Sequence, residues 1–407
     1  MKVAVINSGS SSIKYEVFDA EGCVMLATGL IEKIGSADGR LKQRRRKADG
    51  SFDERSLARP LADHRAGFEL METVNRDDRI IRDASDLLGI GHRVVHGGEL
   101  FREPALIDDR VIAAVRGLIP LAPLHNPSNL LGIEVMRERY PHVPQVAVFD
   151  TAFHQTLPPH AYRYALPQEL YEQHQVRKYG FHGSSHAYVA KEAARHLGRP
   201  LSGTNLIILH LGNGASAVAV RNGRSVDTSL GMTPLEGLMM GTRCGDIDPS
   251  LPFYLMRRTG MPPDAVEDLL NRESGLKGIC GASDMREVQD RAGRGDEHAL
   301  LAIEMFCYRI RKYLGAYNAV LGRVDAVVFT GGIGENASAI RQQACGGLEH
   351  LGIAVDAVKN AKAPDGVLEV QKDGMPVKVL VIRTNEEREI ALQTMEAIGK
   401  TKGDARS

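Results

Sequence analysis

Apolar residues at the start of the chain stop at a loop of Ser and Gly, and a second stretch with alternating apolar and polar residues follows at once. This segment, VAVINSGSSSIKYEVFDAEG (residues 3–22), predicts a strand, a tight turn and a second strand. The same design returns in TNLIILHLGNGASAVAVRNGRSVDT (204–228), which adds a turn at Asn222-Gly223. We therefore expect two related α/β domains, each with one such hairpin.

The remaining pattern alternates helices and strands. GRLKQRRRKADGSFDER predicts a hairpin turning at Asp49-Gly50, and helical spacing runs from Pro60 to Leu88. Buried strands are expected in IGHRVVHGGE, in VPQVAVFDTAFHQ up to Asp150, and in VDAVVFTGGIGEN, whose Gly-rich exit leads to a helix near Asn336. A capping box from Thr384 to Glu387 starts the last helix. The domain boundary is placed near Asp150.

Composition limits the class of protein. The 407 residues suggest about two domains, and 51 basic residues balance 51 acidic ones, which does not favour a nucleic-acid partner. The basic run 44–47 is interpreted as a solvated hairpin rather than a nucleic-acid site. The five cysteines are scattered without a CxxC pair, so we expect a cytoplasmic protein with neither disulfides nor a zinc site. No leader and no membrane span are expected.

Three glycine loops at strand ends offer backbone N–H groups of the kind that bind phosphate. They are Gly9 with its neighbouring serines, Gly212 and Gly214 around Asn213, and Gly331, Gly332 and Gly334. No P-loop motif and no strand-anchored G-x-G-x-x-G is present, so neither a P-loop nor a Rossmann protein is expected.

Charged and imidazole side chains stand beside these loops. Arg93 and Arg243 could meet an anion, and Asp150 ends an apolar strand, where a buried carboxylate must be paired or bind a metal. Histidines 96, 125, 182 and 210 adjoin Gly- or Pro-rich turns, and His182 is the strongest functional candidate; structural salt bridges and core histidines remain the alternatives. The assembled pattern indicates phosphoryl transfer.

These segments, with APLHNPSNLLGI, RKYGFHGSSH, SLGMTPLEGLMMGTRCGDIDP and IRTNEE, resemble the acetokinase family from residue 3 to about 400. The resemblance implies two duplicated actin-like (ribonuclease H-like) domains of the sugar-kinase, Hsp70 and actin superfamily, with ATP in an interdomain cleft. The domains would be 1–150, completed by helix 386–400, and 151–385. The implied reaction is ATP plus acetate giving ADP and acetyl phosphate, with Mg²⁺ or, as the alternative, Mn²⁺, in a homodimer.

The resemblance also assigns roles to residues. Asp150, Arg93, Arg243 and His182 would be catalytic, His125 and His210 would line the site, and Asn7 and Glu386 would serve the metal. Acetate would lie in a pocket of Val95, Leu124, Phe181 and Pro234. ATP would contact Ser10, Ser12, Lys14, His210, Gly212, Asn213, Gly214, Asp284, Arg286, Gly331, Gly332, Ile333, Gly334 and Asn336.

Two positions depart from the family pattern, since Cys244 stands where relatives commonly have Ser and Ser185 where they commonly have Thr. Both are small and uncharged, so a working site is expected. Val95 favours acetate, because relatives that prefer propionate tend to have a smaller residue there. A kinase for propionate or another short-chain carboxylate and a non-catalytic nucleotide-binding switch remain the alternative functions.

Overall fold

A computed structural model describes residues 1–363 and 366–404, with side chains through residue 401. The strands are β1 (Lys2–Ser8), β2 (Ser12–Asp19), β3 (Met25–Glu32), β4 (Arg40–Arg46), β5 (Phe52–Ala58), β6 (Leu87–Val94), β7 (Ala105–Leu106), β8 (Gln145–Phe149), β9 (Leu206–Leu211), β10 (Ala215–Arg221), β11 (Arg224–Thr228), β12 (Ala326–Thr330), β13 (Val367–Glu369) and β14 (Lys378–Ile382). The helices are α1 (His64–Asp77), α2 (Asp109–Gly117), α3 (Asn126–Arg139), α4 (Pro159–Tyr162), α5 (Gln168–His174), α6 (Gly183–His196), α7 (Leu251–Thr259), α8 (Pro263–Arg272), α9 (Gly275–Cys280), α10 (Met285–Gly293), α11 (Glu297–Leu321), α12 (Gly331–Asn336), α13 (Ser338–Cys345), α14 (Ala357–Asn360) and α15 (Glu386–Asp404).

The first of two compact units holds Met1–Ala152 and the chain from Asn385 onward. Its sheet has the order β5-β4-β3-β2-β1-β6-β8-β7, with β1, β6 and β8 parallel to one another. Alternate residues of β1 face opposite layers: Ala4 and Ile6 pack in one core with Met136 of α3, and Val3 and Val5 pack in another with α15. Both faces of β1 are thus buried, which explains its unbroken apolar sequence.

The second unit, Phe153–Thr384, repeats this arrangement. Its sheet has the order β11-β10-β9-β12-β14-β13, where β9 and β10 are antiparallel and β9, β12 and β14 are parallel. The run β3-β2-β1-β6-β8 in the first unit therefore has the same strand directions as β11-β10-β9-β12-β14 in the second. The predicted α/β fold of duplicated actin-like units is confirmed. Both predicted phosphate-loop hairpins are tight: the N–H of Gly9 donates to Ser12 O at 2.8 Å, and that of Gly212 to Gly214 O at 3.0 Å.

Both short turns form where the sequence predicts them. Gly50 lies between β4 and β5 with φ +86°, and Asn222 and Gly223 take positive φ between β10 and β11. The basic run lies in the first of these hairpins, where Arg44 and Arg45 pair with Glu54 and Asp53 on the opposite strand. The interpretation of this run as a solvated hairpin is confirmed.

Two predicted helix boundaries are wrong. The helix expected over 60–88 covers only α1, because Arg79 takes a left-handed φ of 57° soon after its end. The last helix is capped by Asn385, whose Oδ1 accepts from the N–H of Arg388 at 2.9 Å, instead of by Thr384. The helix expected to start near Asn336 is confirmed: α13 begins at Ser338, directly after the short helix α12 that the glycine loop itself forms.

No helix within the described residues is both long and apolar enough to cross a bilayer.

Candidate active site

A charged cluster forms in the first unit where three parallel strands end. Arg93 lies in β6, and its Nε donates to Asp150 Oδ1 at 3.3 Å, while a second hydrogen bond joins Nη2 to Oδ2. Arg93 Nη1 is 3.5 Å from Asn7 Oδ1, and Arg93 Nε is 3.8 Å from Glu386 Oε2. Residues at the carboxyl ends of parallel strands meet at one edge of a sheet, which is where ligands bind in α/β folds. The structure thus brings Asn7, Arg93, Asp150 and Glu386 together; the sequence pattern singles out Arg93 and Asp150, and the resemblance adds Asn7 and Glu386.

The Arg93 guanidinium lies between two acidic side chains in this cluster, Asp150 and Glu386. The side chain of Asp150 is 1% exposed and lies against the Arg93 guanidinium. Burial raises the pKa of Glu386; the nearby Arg93 opposes this effect, and Glu387 adds to it. Burial alone would lower the pKa of Arg93, but the charges of Asp150 and Glu386 raise it instead. Arg93 therefore stays a cation between two carboxyl groups.

The oxygen donors of this cluster suit Mg²⁺. That ion prefers oxygen ligands and keeps several waters, so proteins usually supply one or two carboxylates and leave further positions to substrate phosphates. Asp150, Glu386 and the Asn7 amide oxygen are such a set. Within residues 1–363 and 366–401, no three or more His, Cys, Asp or Glu side chains form a group that could hold a metal ion.

Lys14 lies directly opposite Asn7 in the β1–β2 pair, and its ammonium forms an ion pair with Glu387. Burial would lower the pKa of Lys14, but the charge and hydrogen bond of Glu387, together with the charges of Glu16 and Glu386, raise it. Ser10 is exposed at the tip of the same hairpin, and Ser12 begins β2. These three residues belong to the first hairpin predicted to bind phosphate, in which Lys14 is held by a carboxylate.

A second cluster, in the second unit, surrounds the Gly212–Gly214 turn. His182 precedes α6 with the left-handed φ of 57°, uncommon for a residue other than glycine. Its ring lies against that of His210, with centroids 4.4 Å apart and the ring planes tilted by 32°. A Cβ added to Gly214 would lie 3.5 Å from both His182 Nε2 and Arg243 Nη1. Gly214 therefore leaves room for a ligand between an imidazole and a guanidinium.

Arg243 carries a charge that the fold does not neutralise. Its Nη1 donates to Pro234 O at 3.2 Å, and among the residues that the structure describes no carboxylate pairs with it. Burial lowers the pKa of its guanidinium. A partly buried cation without a counter-ion, beside a glycine turn, is suited to bind an anion.

A cavity of about 550 Å³ lies beside the same turn. Seven predicted nucleotide contacts line it: Gly212, Asn213, Asp284, Arg286, Gly332, Ile333 and Asn336. Gly331 has φ +76°, and an added Cβ would lie 2.8 Å from Leu211 O, so the start of α12 is pressed against the end of β9. Gly334 is buried in α12. The cavity has the size of a small-molecule site and exposed polar groups at its rim.

The residues predicted for the acetate pocket are placed in both units. In the first unit Val95 is buried, whereas Leu124 is 56% exposed. His125 stands at the N-terminus of α3. In the second unit Phe181 is buried, and Pro234 provides the carbonyl that Arg243 contacts. Cys244 is partly buried beside Arg243, and Ser185 Oγ forms a hydrogen bond with His210 Nδ1 at 2.8 Å, so both departures from the family pattern lie next to predicted site residues.

Sequence reasoning missed the groups that support these side chains. Ser216 and His186 lie behind His182, and both are buried. The spacing of four between His182 and His186 at the start of one helix is the signal that could have found His186. Arg341 is buried too, and it donates to the carbonyls of Gly334 and Glu335 at 2.9 and 3.0 Å. These hydrogen bonds fix helix α12, which lines the cavity. Nothing in the sequence around Arg341 distinguishes it from a surface arginine.

Comparisons with known proteins agree with this geometry. Residues 2–392 match the model of the Acetokinase family. An acetate kinase of Syntrophobacter fumaroxidans is 57% identical over 399 residues, covering 98% of this chain and 97% of the relative. The crystal structure of Porphyromonas gingivalis acetate kinase is similar with a TM-score of 0.92 at 44% identity, covering 98% and 99% of the two chains. A propionate kinase from Francisella tularensis gives 0.89 at 41% identity over 96% and 98%. The chain therefore belongs to the acetokinase family.

Proposed function

We propose that this protein is an acetate kinase, which reversibly transfers a phosphoryl group from ATP to acetate to give ADP and acetyl phosphate. The observation that carries the proposal is the unneutralised Arg243 guanidinium, which faces His182 Nε2 across the Gly214 turn. The relatives named acetate kinase and the nucleotide-sized cavity beside this turn support it.

In the proposed mechanism a carboxylate oxygen of acetate attacks the γ-phosphorus of ATP in line. Acetate is ionised at neutral pH, so the step needs no general base and Asp150 need not accept a proton. Arg243 and the His182 N–H stabilise the charge on the transferred group, and Arg93 orients the carboxylate and reduces repulsion between the two anions. The glycine turn around Asn213 supplies backbone N–H groups to the phosphates, and Asp284, Arg286 and the start of α12 hold the nucleoside.

We propose that Asn7, Asp150 and Glu386 hold Mg²⁺, directly or through water, with Mn²⁺ as the second candidate. When bound, the ion would neutralise charge on the β- and γ-phosphates. The residues themselves organise the site: Asp150 fixes the Arg93 guanidinium, and burial raises the pKa of Glu386, so that its carboxyl keeps a proton to a higher pH than an exposed carboxyl does.

Acetate is the proposed acid, and propionate is the alternative because a propionate kinase is among the similar structures. Val95 is buried and bulky where the methyl of acetate would lie, so it would restrict a longer acid. One methylene in an apolar pocket is worth about 1–3 kcal/mol, which limits the discrimination to roughly 10- to 200-fold.

We propose a cytoplasmic homodimer. All five cysteines are free thiols, as expected of a reducing compartment. Helix α7 has no buried residue, although it carries Leu251, Phe253 and Tyr254, which are 37%, 59% and 55% exposed. A second copy of the chain would cover this apolar face.

The deciding experiment is a coupled assay of ADP release with and without acetate, followed by acyl phosphate formation from acetate, propionate and butyrate. Turnover that depends on acetate, and is highest with it, is the expected result. Turnover unaffected by acetate would reject the kinase in favour of a nucleotide-binding switch, and a preference for propionate or butyrate would replace the substrate.

A further inference from the structure

Two imidazoles meet at one serine hydroxyl behind the proposed reaction centre. Ser216 Oγ, on β10, lies 2.9 Å from His182 Nδ1 and 2.8 Å from His186 Nε2. Ser216 and His186 are fully buried. A hydroxyl has one hydrogen to donate, so it can donate to only one of the two rings and must accept from the other. Which ring donates decides where His182 carries its own proton.

His186 determines the direction of this chain. Burial lowers the pKa of its imidazole well below the usual value, and neighbouring His154 and His210 add to the effect, so the ring is neutral with one N–H. Its Nδ1 is buried and has no hydrogen-bond partner. A proton on Nδ1 would leave a buried N–H without an acceptor, the least tolerated arrangement for a polar group. The proton therefore belongs on Nε2, which donates to Ser216.

His154, the neighbour of His186, cannot supply a hydrogen-bond partner for His186 Nδ1. His154 Nε2 lies 2.9 Å from Phe181 O, a carbonyl that only accepts, so this nitrogen carries the proton. His154 Nδ1 is 2.9 Å from Ser225 Oγ and accepts from it. Both nitrogens of His154 are thus engaged, and the assignment of the His186 proton stands.

We propose that Ser216 is a positioning residue that holds His182 as the Nε2–H tautomer, through a directed chain from His186 Nε2–H to Ser216 O–H to His182 Nδ1. The proposal rests on the proposed function for its purpose, because Nε2 is the atom of His182 that faces the place left open by Gly214. With the proton on Nε2, His182 donates to the oxygens of the transferred phosphoryl group. The opposite tautomer would present a lone pair to an anion.

The chain also resists protonation of His182. Protonation of His182 would place a second proton on Nδ1, which would then donate to Ser216 Oγ. The Ser216 hydroxyl hydrogen would lose its acceptor, because the other ring at this hydroxyl, His186, already donates to it through Nε2–H. The groups that face His182 include His186 from α6, His210 from β9, Ser216 from β10 and Arg243 from the loop after β11. Arg243 is a fixed cation, and it acts in the same direction because its charge disfavours an imidazolium.

The test is the tautomer of His182 in solution. Long-range ¹H–¹⁵N correlation spectra of the uniformly ¹⁵N-labelled full-length protein distinguish Nε2–H from Nδ1–H imidazoles, and a His182→Gln sample identifies the signals of this residue. We expect the Nε2–H pattern in the wild type. In Ser216→Ala we expect a mixture of tautomers and a higher His182 pKa in a ¹⁵N titration. An Nδ1–H pattern in the wild type overturns the proposal, even if no variant folds.

Kinetics provide the second readout. Losing one oriented hydrogen bond should lower kcat of Ser216→Ala by about 10- to 100-fold, with KM for ATP and acetate changed by no more than about twofold. Ser216→Thr keeps the hydroxyl and should recover most of kcat. His186→Gln, whose amide can still donate, should retain more activity than His186→Leu.

Ser225→Ala is the matched control, since it removes another buried serine–histidine hydrogen bond from the same sheet. It should affect the melting temperature about as much as Ser216→Ala while leaving kcat and the His182 tautomer unchanged. Equal losses of kcat in the two variants, or an unaltered His182 tautomer in Ser216→Ala, would overturn the proposal and show that Ser216 contributes only to packing. The tautomer spectra need no turnover, so they remain informative if the assay shows that acetate is not the substrate.

Discussion

Replacing each of the two site arginines by alanine should separate catalysis from stability. Arg243 makes one carbonyl hydrogen bond, at 3.2 Å, and no ion pair within the described part of the chain. Replacing Arg243 by alanine removes that hydrogen bond, but it also removes the cost of partly burying a charge. The free energy of unfolding should therefore change by no more than about 1 kcal/mol. Arg93 is different, because its loss removes the cation that forms an ion pair with the buried Asp150 carboxylate. That loss should cost about 3–5 kcal/mol.

The effect on rate should not follow the effect on stability. An arginine that stabilises a transferring phosphoryl group contributes roughly 10³ to 10⁵ in rate, and a factor of 10³ corresponds to about 4 kcal/mol of barrier. Arg243→Ala should therefore lose at least about 10³ in kcat while remaining folded. Arg93→Ala should lose activity and stability together.

The assay pairs urea unfolding with acetate-dependent ADP release for both variants. Arg243→Lys serves as a control, since it keeps the charge but not the planar guanidinium, and an intermediate kcat is expected. Near-normal kcat in Arg243→Ala would remove Arg243 from the mechanism. A destabilisation of Arg243→Ala as large as that of Arg93→Ala would show that a counter-ion for Arg243 exists after all.

Three further predictions address the pocket, the nucleotide loop and pH. Val95→Ala should improve propionate relative to acetate by up to about 10-fold in kcat/KM, and an unchanged ratio would show that Val95 does not line the acid pocket. Gly332→Ala should leave stability equal or slightly higher, because nothing lies within 4 Å of the added Cβ, yet raise the KM for ATP, as Gly332 lines the nucleotide cavity; an unchanged KM would argue against that cavity. Burial and the charge of Glu387 raise the pKa of Glu16 from 4.5 to about 7, with Lys14 opposing them. The folded state thus keeps this proton to a higher pH than the unfolded chain, so stability should fall by up to about 3 kcal/mol as pH rises through that window. Glu16→Gln should abolish this slope in urea unfolding between about pH 5 and pH 8, and a slope that persists would contradict the assignment.

Local sequence signals were sufficient for the hairpins and the core strands. Apolar runs with both faces buried mark β1, β9 and β12, and the Asn222-Gly223 turn has the positive φ values that this dipeptide favours. Helix ends were predicted less well, because they depend on distant partners. Thr384 does not cap α15: its Oγ1 is hydrogen-bonded to Ser185 Oγ at 2.7 Å and its backbone N–H donates to Glu335 Oε1 at 3.0 Å, and Asn385 caps the helix instead.

The sequence alone determined the repeated hairpin design, the glycine turns and the candidate residues Arg93, Asp150, His182 and Arg243, because turn chemistry and strand-end placement are local properties. Only the tertiary structure decided which of these charged side chains has a partner of opposite charge. Arg93 is paired because β6 and β8 are parallel neighbours that bring Asp150 beside it, whereas Arg243 lies in a loop that no acidic strand end reaches among the described residues. The chain from His186 through Ser216 was likewise invisible in sequence, since it joins a helix to a strand 30 residues away through side chains that touch only when both elements are packed.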